Sequence, residues 1–372
     1  MQKVCIDCIG DEDLKQWIRE LNSHRGCSFC SQHTLLAAPL GELCQHIERI
    51  LEMNYGKSAN ELPFCSAEGG YLGDSWSTYE LLFEECCLDL PNDVDGSLRM
   101  GIIGLLVDDN WCRRDWVALD EDEAMRFAWG RFCNHIKHER RYFFQNLDSE
   151  CVSYDSYSPV ELLAAIAQLV DAEELIITVK PGLKLFRARP GFKGRNPTAK
   201  DFGPPPREVC QSNRMNPAGV PMFYGALDRR TAVYEVKERI SRIGCFEVVK
   251  PLRLLDLSSL PMLPGAFSTE SPRRRLLLSF LHYFTKEIMQ PVARDDRVHT
   301  EYVPSQVVTE FLRDFNFESG RIDGVMYGSV ASPKPGRRNV VLFLEDLEPE
   351  QGPYFPKINV PLKFLRACIV RL

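Results

Sequence analysis

Asn213-Arg214-Met215-Asn216-Pro217-Ala218-Gly219-Val220-Pro221-Met222-Phe223-Tyr224-Gly225-Ala226 is the stretch on which the reading of this chain turns, with Thr231-Ala232-Val233-Tyr234-Glu235-Val236 following closely. An Asn-Pro-x-Gly segment runs straight into an apolar, aromatic run, which is how a loop feeding a strand is written. Asp228 then stands as an N-cap for a helix whose apolar stripe is Ala232, Val236, Ile240 and Ile243. Loop, strand and helix follow one another so closely that an arginine, a tyrosine and a glutamate fall on three kinds of backbone.

Working upstream, Arg189 to Pro221 holds seven prolines and four glycines, which forbid regular structure. So long a loop inside a compact domain is usually functional. Before it, Leu175–Val179 is a β-branched run ended by Pro181-Gly182, and Leu183–Arg187 reads as a second strand. Downstream, Cys245–Val249, Arg253–Leu257, Gly324–Tyr327 and Val340–Leu344 are strand candidates. Leu276–Met289 is helical, and Pro304 suits the first turn of a helix running to Leu312. Strands and helices intermix without a regular βαβ rhythm, so residues 172–372 are expected to form an α+β domain with a mixed or antiparallel sheet.

Ahead of Glu174 the pattern is helical. Leu36, Leu40, Leu43, Ile47, Ile50 and Leu51 recur at spacings of three and four, as do Tyr79, Leu82, Phe83, Cys86 and Cys87. This gives a helical domain over 35–171. At 372 residues the chain exceeds one ordinary core, and its 44% apolar share excludes wholesale disorder. A net charge of −7 argues against bulk attachment to nucleic acid or anionic lipid. No apolar run is long enough for a bilayer, and Met1–Cys8 has no apolar leader, so a reducing, cytoplasmic setting is expected.

In that setting the 14 cysteines mean metal ligands or core residues. Cys5-x2-Cys8 and Cys27-x2-Cys30 are separated by 18 residues. Each pair offers two thiolates from one tight bend, and four together satisfy tetrahedral zinc with no position left open. Residues 1–34 are therefore read as a structural zinc knot, with His24 and His33 as alternative ligands. The other cysteines, including Cys86 and Cys87, are expected in the core.

The order Leu185-Phe186-Arg187-Ala188-Arg189, Arg214 with Asn216-Pro217 and Gly219, Tyr224, Glu235, Tyr327-Gly328-Ser329 and Asn339-Val340-Val341-Leu342-Phe343 resembles the RES-domain family, over roughly residues 180–345. That resemblance implies an ADP-ribosyltransferase-like fold that binds NAD+ as substrate and cleaves its nicotinamide–ribose bond, passing ADP-ribose to water, phosphate or a protein. It also implies a toxin that depletes cellular NAD+, restrained by an antitoxin or regulatory protein. Arg214, Tyr224, Glu235 and Ser329 are the catalytic candidates, and Arg187 and Asn339 the substrate-binding ones. The chemistry agrees: an oxocarbenium-like state needs a carboxylate, for which Glu235 stands, and a diphosphate needs arginines. Met215 and Val330 depart from the family pattern, which often has an aromatic residue and frequently a second serine there.

The helical middle region resembles HEPN-type domains, and Arg131-x6-His138 fits their ribonuclease signature. A ribonuclease acting there, with RNA as its substrate, is one alternative function. A catalytically silent sensor of NAD+ or ADP-ribose is another. A second copy of the chain is left open as a partner.

Overall fold

A computed structural model of the chain describes residues 1–67, 69–144, 157–189, 197–236, 240–292, 298–343 and 362–371. It divides into two compact units, Met1–Glu123 with Met262–Ser279, and Ala124–Pro261 with Phe280–Leu372.

The first unit begins with a three-stranded antiparallel sheet in which Leu36–Pro39 lies between Lys3–Cys5 and His24–Arg25. The Asp11 side chain accepts from the Leu14 N–H at 2.9 Å and so starts the helix Glu12–Leu21, whose Leu14 and Ile18 are buried. The helix Leu40–Asn54 buries Leu40, Leu43, Ile47, Ile50 and Leu51, five of the six residues in the stripe legible in the sequence. These side chains share a core with Val4, Ile9, Leu82, Ile102, Trp111 and Phe267. Cys44 and Cys86 join that core as expected, but Cys87 does not: it is exposed, at a φ of 52°. There the chain leaves its helical turn in the left-handed region and swings the thiol outward.

Eight strands make up the sheet of the second unit. Their order is Leu362–Arg371, Ile240–Val248, Lys184–Arg189, Phe223–Ala226, Arg338–Leu342, Gly324–Gly328, Leu252–Asp256, Ile176–Val179. Leu252–Asp256 and Gly324–Gly328 pair in parallel, and every other pairing in this sheet is antiparallel. A parallel pair needs a long crossover, and the chain between these two strands carries helices. The result is the mixed α+β architecture that the sequence led us to expect.

Alternation along the strands gives the sheet two apolar faces. Leu185, Phe223, Phe246, Met326, Val340 and Leu342 cluster on one. Phe186, Ala188, Ala226, Ile243 and Cys245 line the other, beneath Ala232 and Val233 of the helix Arg229–Val236. Fully burying a side chain like Val233 is worth about 1.5–3 kcal/mol.

The stripe through Ile240 and Ile243 is not helical: the helix stops at Val236, and Ile240–Val248 is a strand paired on both sides. A spacing of three or four also suits two separate elements, and sheet pairing on both edges overrides it. Gly244 marks the strand as tightly covered, since a Cβ there would lie 2.5 Å from Cγ of Phe202. The strand expected over Val340–Leu344 runs Arg338–Leu342, and Leu344 lies outside the described residues. Among the described residues, no helix is long and apolar enough to cross a membrane.

Candidate functional site

The face of the sheet under the helix Arg229–Val236 carries the polar residues. Asn339 pairs in register with Ala226 on one side and Tyr327 on the other, while Val341 pairs with Tyr224 and Val325. Residues two apart share a face, so Tyr224, Tyr327 and Asn339 project together. Asp228 caps the helix through the N–H groups of Arg230 and Thr231, each at 3.1 Å, and so sets where Glu235 falls about two turns later. Arg337 pairs with Asp228 at 3.1 Å and ties the loop between Ser329 and Arg337 to that cap. The loop is closed by the Ser329 N–H donating to the Arg337 carbonyl at 2.7 Å.

Glu235 is where these elements meet. Its Oε1 accepts from Ser329 Oγ and from Asn339 Nδ2, both at 2.7 Å. Helix, strand end and neighbouring strand thus fix one carboxylate, and Asn339 is itself only 4% exposed. Three of the residues that the sequence singled out are therefore in direct contact.

The Arg214 loop is held by a second network. Asn216, 1% exposed, donates through Nδ2 to the carbonyls of Gln211 (3.2 Å) and Pro217 (2.9 Å). Its Oδ1 accepts from the Tyr224 hydroxyl at 2.7 Å, and that hydroxyl in turn accepts from the Met215 N–H at 3.3 Å. Tyr224 is therefore engaged in shaping the loop, and burial pushes its phenol pKa up. Gly219 closes the turn at a φ of +85°, with its N–H on the Cys210 carbonyl at 3.0 Å, a conformation that favours glycine.

Behind the loop runs the helix Val303–Asp314. The Gln306 amide donates to Ser212 Oγ (2.8 Å), the Asn213 carbonyl (2.7 Å) and the Asn216 carbonyl (3.0 Å), and Ser305 Oγ donates to the Arg214 carbonyl at 2.5 Å. So supported, Arg214 sends Nη1 to the Ile288 carbonyl at 2.6 Å and lies 5.6 Å from the Tyr302 ring centre.

Arg187 is placed differently. Its strand neighbours Phe186 and Ala188 belong to the Glu235 face, so its own side chain leaves on the other, 5.3 Å from the Phe223 ring centre. Nη1 donates to the Tyr224 carbonyl at 3.2 Å. Burial first, and the like charge of Arg189 second, weigh against the Arg187 charge, although a guanidinium keeps its proton at neutral pH. Among the described residues neither Arg187 nor Arg214 has a carboxylate partner.

Tyr302, Ser305 and Gln306 were not singled out from the sequence, and Tyr327 entered only as part of the Tyr327-Gly328-Ser329 motif, with no role of its own. Tyr327 is 8% exposed, and its hydroxyl feels Tyr224, Glu235, Arg214 and Tyr302. Burial first, then Tyr224, Glu235 and Tyr302, pushes its phenol pKa up against the opposing charge of Arg214, and among the described residues the hydroxyl has no hydrogen-bond partner. A signal for Tyr327 existed in its position two residues before Ser329, on the same side of the strand. None existed for Gln306, which lies 90 residues beyond the loop it holds.

In the first unit the four cysteines converge. Cys5 and His24 both pair with Ala37, so one strand brings the two Cys-x2-Cys bends to the same level. The ligand atoms lie within 4.8 Å of one another, with Sγ–Sγ separations of 3.7 Å for Cys5–Cys8, 3.6 Å for Cys5–Cys30 and 3.7 Å for Cys8–Cys27. Four sulfurs around an ion at the usual zinc–sulfur distance would be about 3.8 Å apart, so the set fits a tetrahedral metal. Burial raises the Cys5 thiol to about 11 and Cys8 further. Burial opposes ionisation of Cys27 too, but the Phe29 N–H on its sulfur at 3.4 Å brings it below the ordinary value. His24 instead contacts Ser23 Oγ at 2.7 Å.

Arg131 and His138 share the helix Glu121–His138 but no hydrogen bond or ion pair. Arg131 reaches the Tyr157 carbonyl at 3.4 Å and lies 5.3 Å from the Phe127 ring centre, while His138 is exposed.

A family model described as RES domain matches residues 184–357, and one described as HEPN/RES N-terminal domain 1 matches residues 20–150. No curated protein and no solved structure matches the chain.

Proposed function

For a chain that belongs to the RES family, with an HEPN/RES N-terminal domain ahead of its RES domain, we propose an NAD+-consuming activity that cleaves the nicotinamide–ribose bond. The observation that carries this reading is the Glu235 carboxylate, held by Ser329 and Asn339 at 2.7 Å each, with Tyr327 close to both it and Arg214. As the C–N bond breaks, its electron pair leaves with nicotinamide and positive charge develops on the ribose. A fixed carboxylate stabilises that charge without having to reorganise. Water or phosphate then adds to the anomeric carbon and loses a proton, giving ADP-ribose or its 1″-phosphate. Arg214 supplies a permanent cation for the diphosphate, and arginine suits that task through its paired donors. Arg187 would act from behind, through the Tyr224 backbone.

Such an activity is harmful to the cell that makes it, which accords with a toxin restrained by a partner protein. The four-cysteine cluster takes zinc in this reading, as a closed structural site.

The test is NAD+ consumption by the purified full chain, wild type beside Glu235→Gln, with and without phosphate, products read by mass. Wild type is expected to consume NAD+, and Glu235→Gln to be slower by about 100-fold or more. Binding of ADP-ribose with no turnover in wild type would replace the enzyme with a sensor.

A further inference from the structure

A cavity of 260 Å³ opens beside Arg214 within the second unit. Arg214, anchored to the Ile288 carbonyl, is part of its lining. The walls include Tyr302 and Trp129, which supply aromatic surface, and two carboxylates, Glu301 and Glu287. Glu301 accepts from Lys137 Nζ at 2.6 Å, and Glu287 accepts from Gln290 Nε2 at 2.6 Å. A carboxylate has room for several donors, so each can take a hydroxyl as well.

A ligand complementary to this wall has an anionic group for Arg214, hydroxyl donors for the carboxylates and a flat apolar body. A nucleoside diphosphate meets all three demands, with its ribose diol facing an acidic side chain as in other nucleotide sites. The volume is slightly below the usual range for ligand pockets, which suits one nucleoside and not a whole dinucleotide.

We propose that this cavity receives the adenosine diphosphate half of NAD+, and that the helix Glu121–His138 is thereby part of the substrate site. The inference rests on the NAD+ reading of Arg214. Its new content concerns Trp129, Cys133 and Lys137. They line the cavity yet lie in the stretch matched by the N-terminal domain model, ahead of the RES domain match. The upstream region then sets which nucleotide the Arg214 site accepts.

The experiment is calorimetric titration of the full chain with ADP, 2′,3′-dideoxy-ADP and inorganic pyrophosphate. None of these has a nicotinamide–ribose bond, so the result is independent of turnover. Wild type is expected to bind ADP at least tenfold more tightly than either of the others. Cys133→Trp, which fills the cavity from the upstream helix, should weaken ADP at least tenfold and leave pyrophosphate within twofold. If that variant does not fold, the double variant Glu287→Gln/Glu301→Gln decides, by losing the preference for ADP over dideoxy-ADP. Equal binding of ADP and pyrophosphate by wild type overturns the inference, as does an unchanged ADP affinity in a folded Cys133→Trp protein or an unchanged preference in the double variant. Wild type that binds ADP as expected but leaves NAD+ intact would instead remove the cleavage reading and keep the cavity.

Discussion

The four-cysteine cluster and the Glu235 site are both organised by one strand between two others, and they differ in how much chain that strand must gather. Leu36–Pro39 lies between arms bearing Cys5 and Cys27, and the whole cluster is contained between residues 5 and 30. Arg338–Leu342 lies between the strands of Tyr224 and Tyr327, and the site it gathers runs from Arg214 to Asn339. A short closed loop gives up little entropy on closing, and here the Cys27-x2-Cys30 bend, only partly buried, depends on the cluster more than the buried Cys5 and Cys8 do. A site on an eight-stranded sheet inherits its geometry from register, so any one side chain can be removed without loss of the frame. The first design concentrates stability in its ligands, and the second separates stability from chemistry.

Removing a cysteine should therefore have the largest effect of any single change. Cys8→Ser is expected to lose the metal and to open residues 1–39 to protease. The cost to the first unit is on the order of 10 kcal/mol, the scale of structural zinc binding. Metal content per chain and limited proteolysis check this. A Cys8→Ser protein that retains one zinc per chain and resists protease would break the comparison.

A smaller effect sharpens the difference between a ligand thiol and a core thiol. Burial raises Cys44 to about 12 and Cys86 to about 11, and neither belongs to the cluster. Both values lie above the ordinary 9.0, so the neutral thiols contribute fully below pH 9 and that contribution is lost as pH rises through 11 and 12. Each group then costs about 1.4 kcal/mol per pH unit above 9. Urea midpoints of the zinc-loaded protein at pH 8 and 10.5 should fall accordingly. The Cys44→Ala/Cys86→Ala double variant should show a shallower fall, and equal slopes would count against the assignment.

How much of each region can be read from sequence follows the same division. The Cys-x2-Cys pairs, the stripe Leu40–Leu51 and the Asp228 cap are local, and spacing is enough to find them. The order Arg214, Tyr224, Glu235, Ser329, Asn339 is legible as a family pattern, although which of these residues touch depends on strand register. Arg187 shows the limit: its place in the pattern gives no sign that its strand turns it to the opposite face from Glu235. Ile240 and Ile243 show another, because a helical spacing carried across a helix end reads as one element. Ser305 and Gln306 sit in an ordinary amphipathic helix, and only packing reveals that this helix holds the Arg214 loop.

The finest test compares two tyrosines on one face of the sheet. The Tyr224 hydroxyl donates to Asn216 and accepts from Met215, so Tyr224→Phe leaves a buried amide oxygen and a backbone N–H without it. Leaving such groups unpaired costs about 1–3 kcal/mol, and a loosened Arg214 loop should raise KM more than it lowers kcat. Tyr327→Phe removes a hydroxyl with no hydrogen-bond partner among the described residues, so stability should stay within about 0.5 kcal/mol of wild type. In the proposed NAD+ reading, its position near Glu235, Arg214 and Tyr302 offers this hydroxyl to substrate, so the same change should lower turnover by about tenfold. Urea melts and NAD+ kinetics on the two variants separate these roles. Were Tyr327→Phe the less stable and Tyr224→Phe the less active, the division between frame and chemistry on this sheet would have to be reversed.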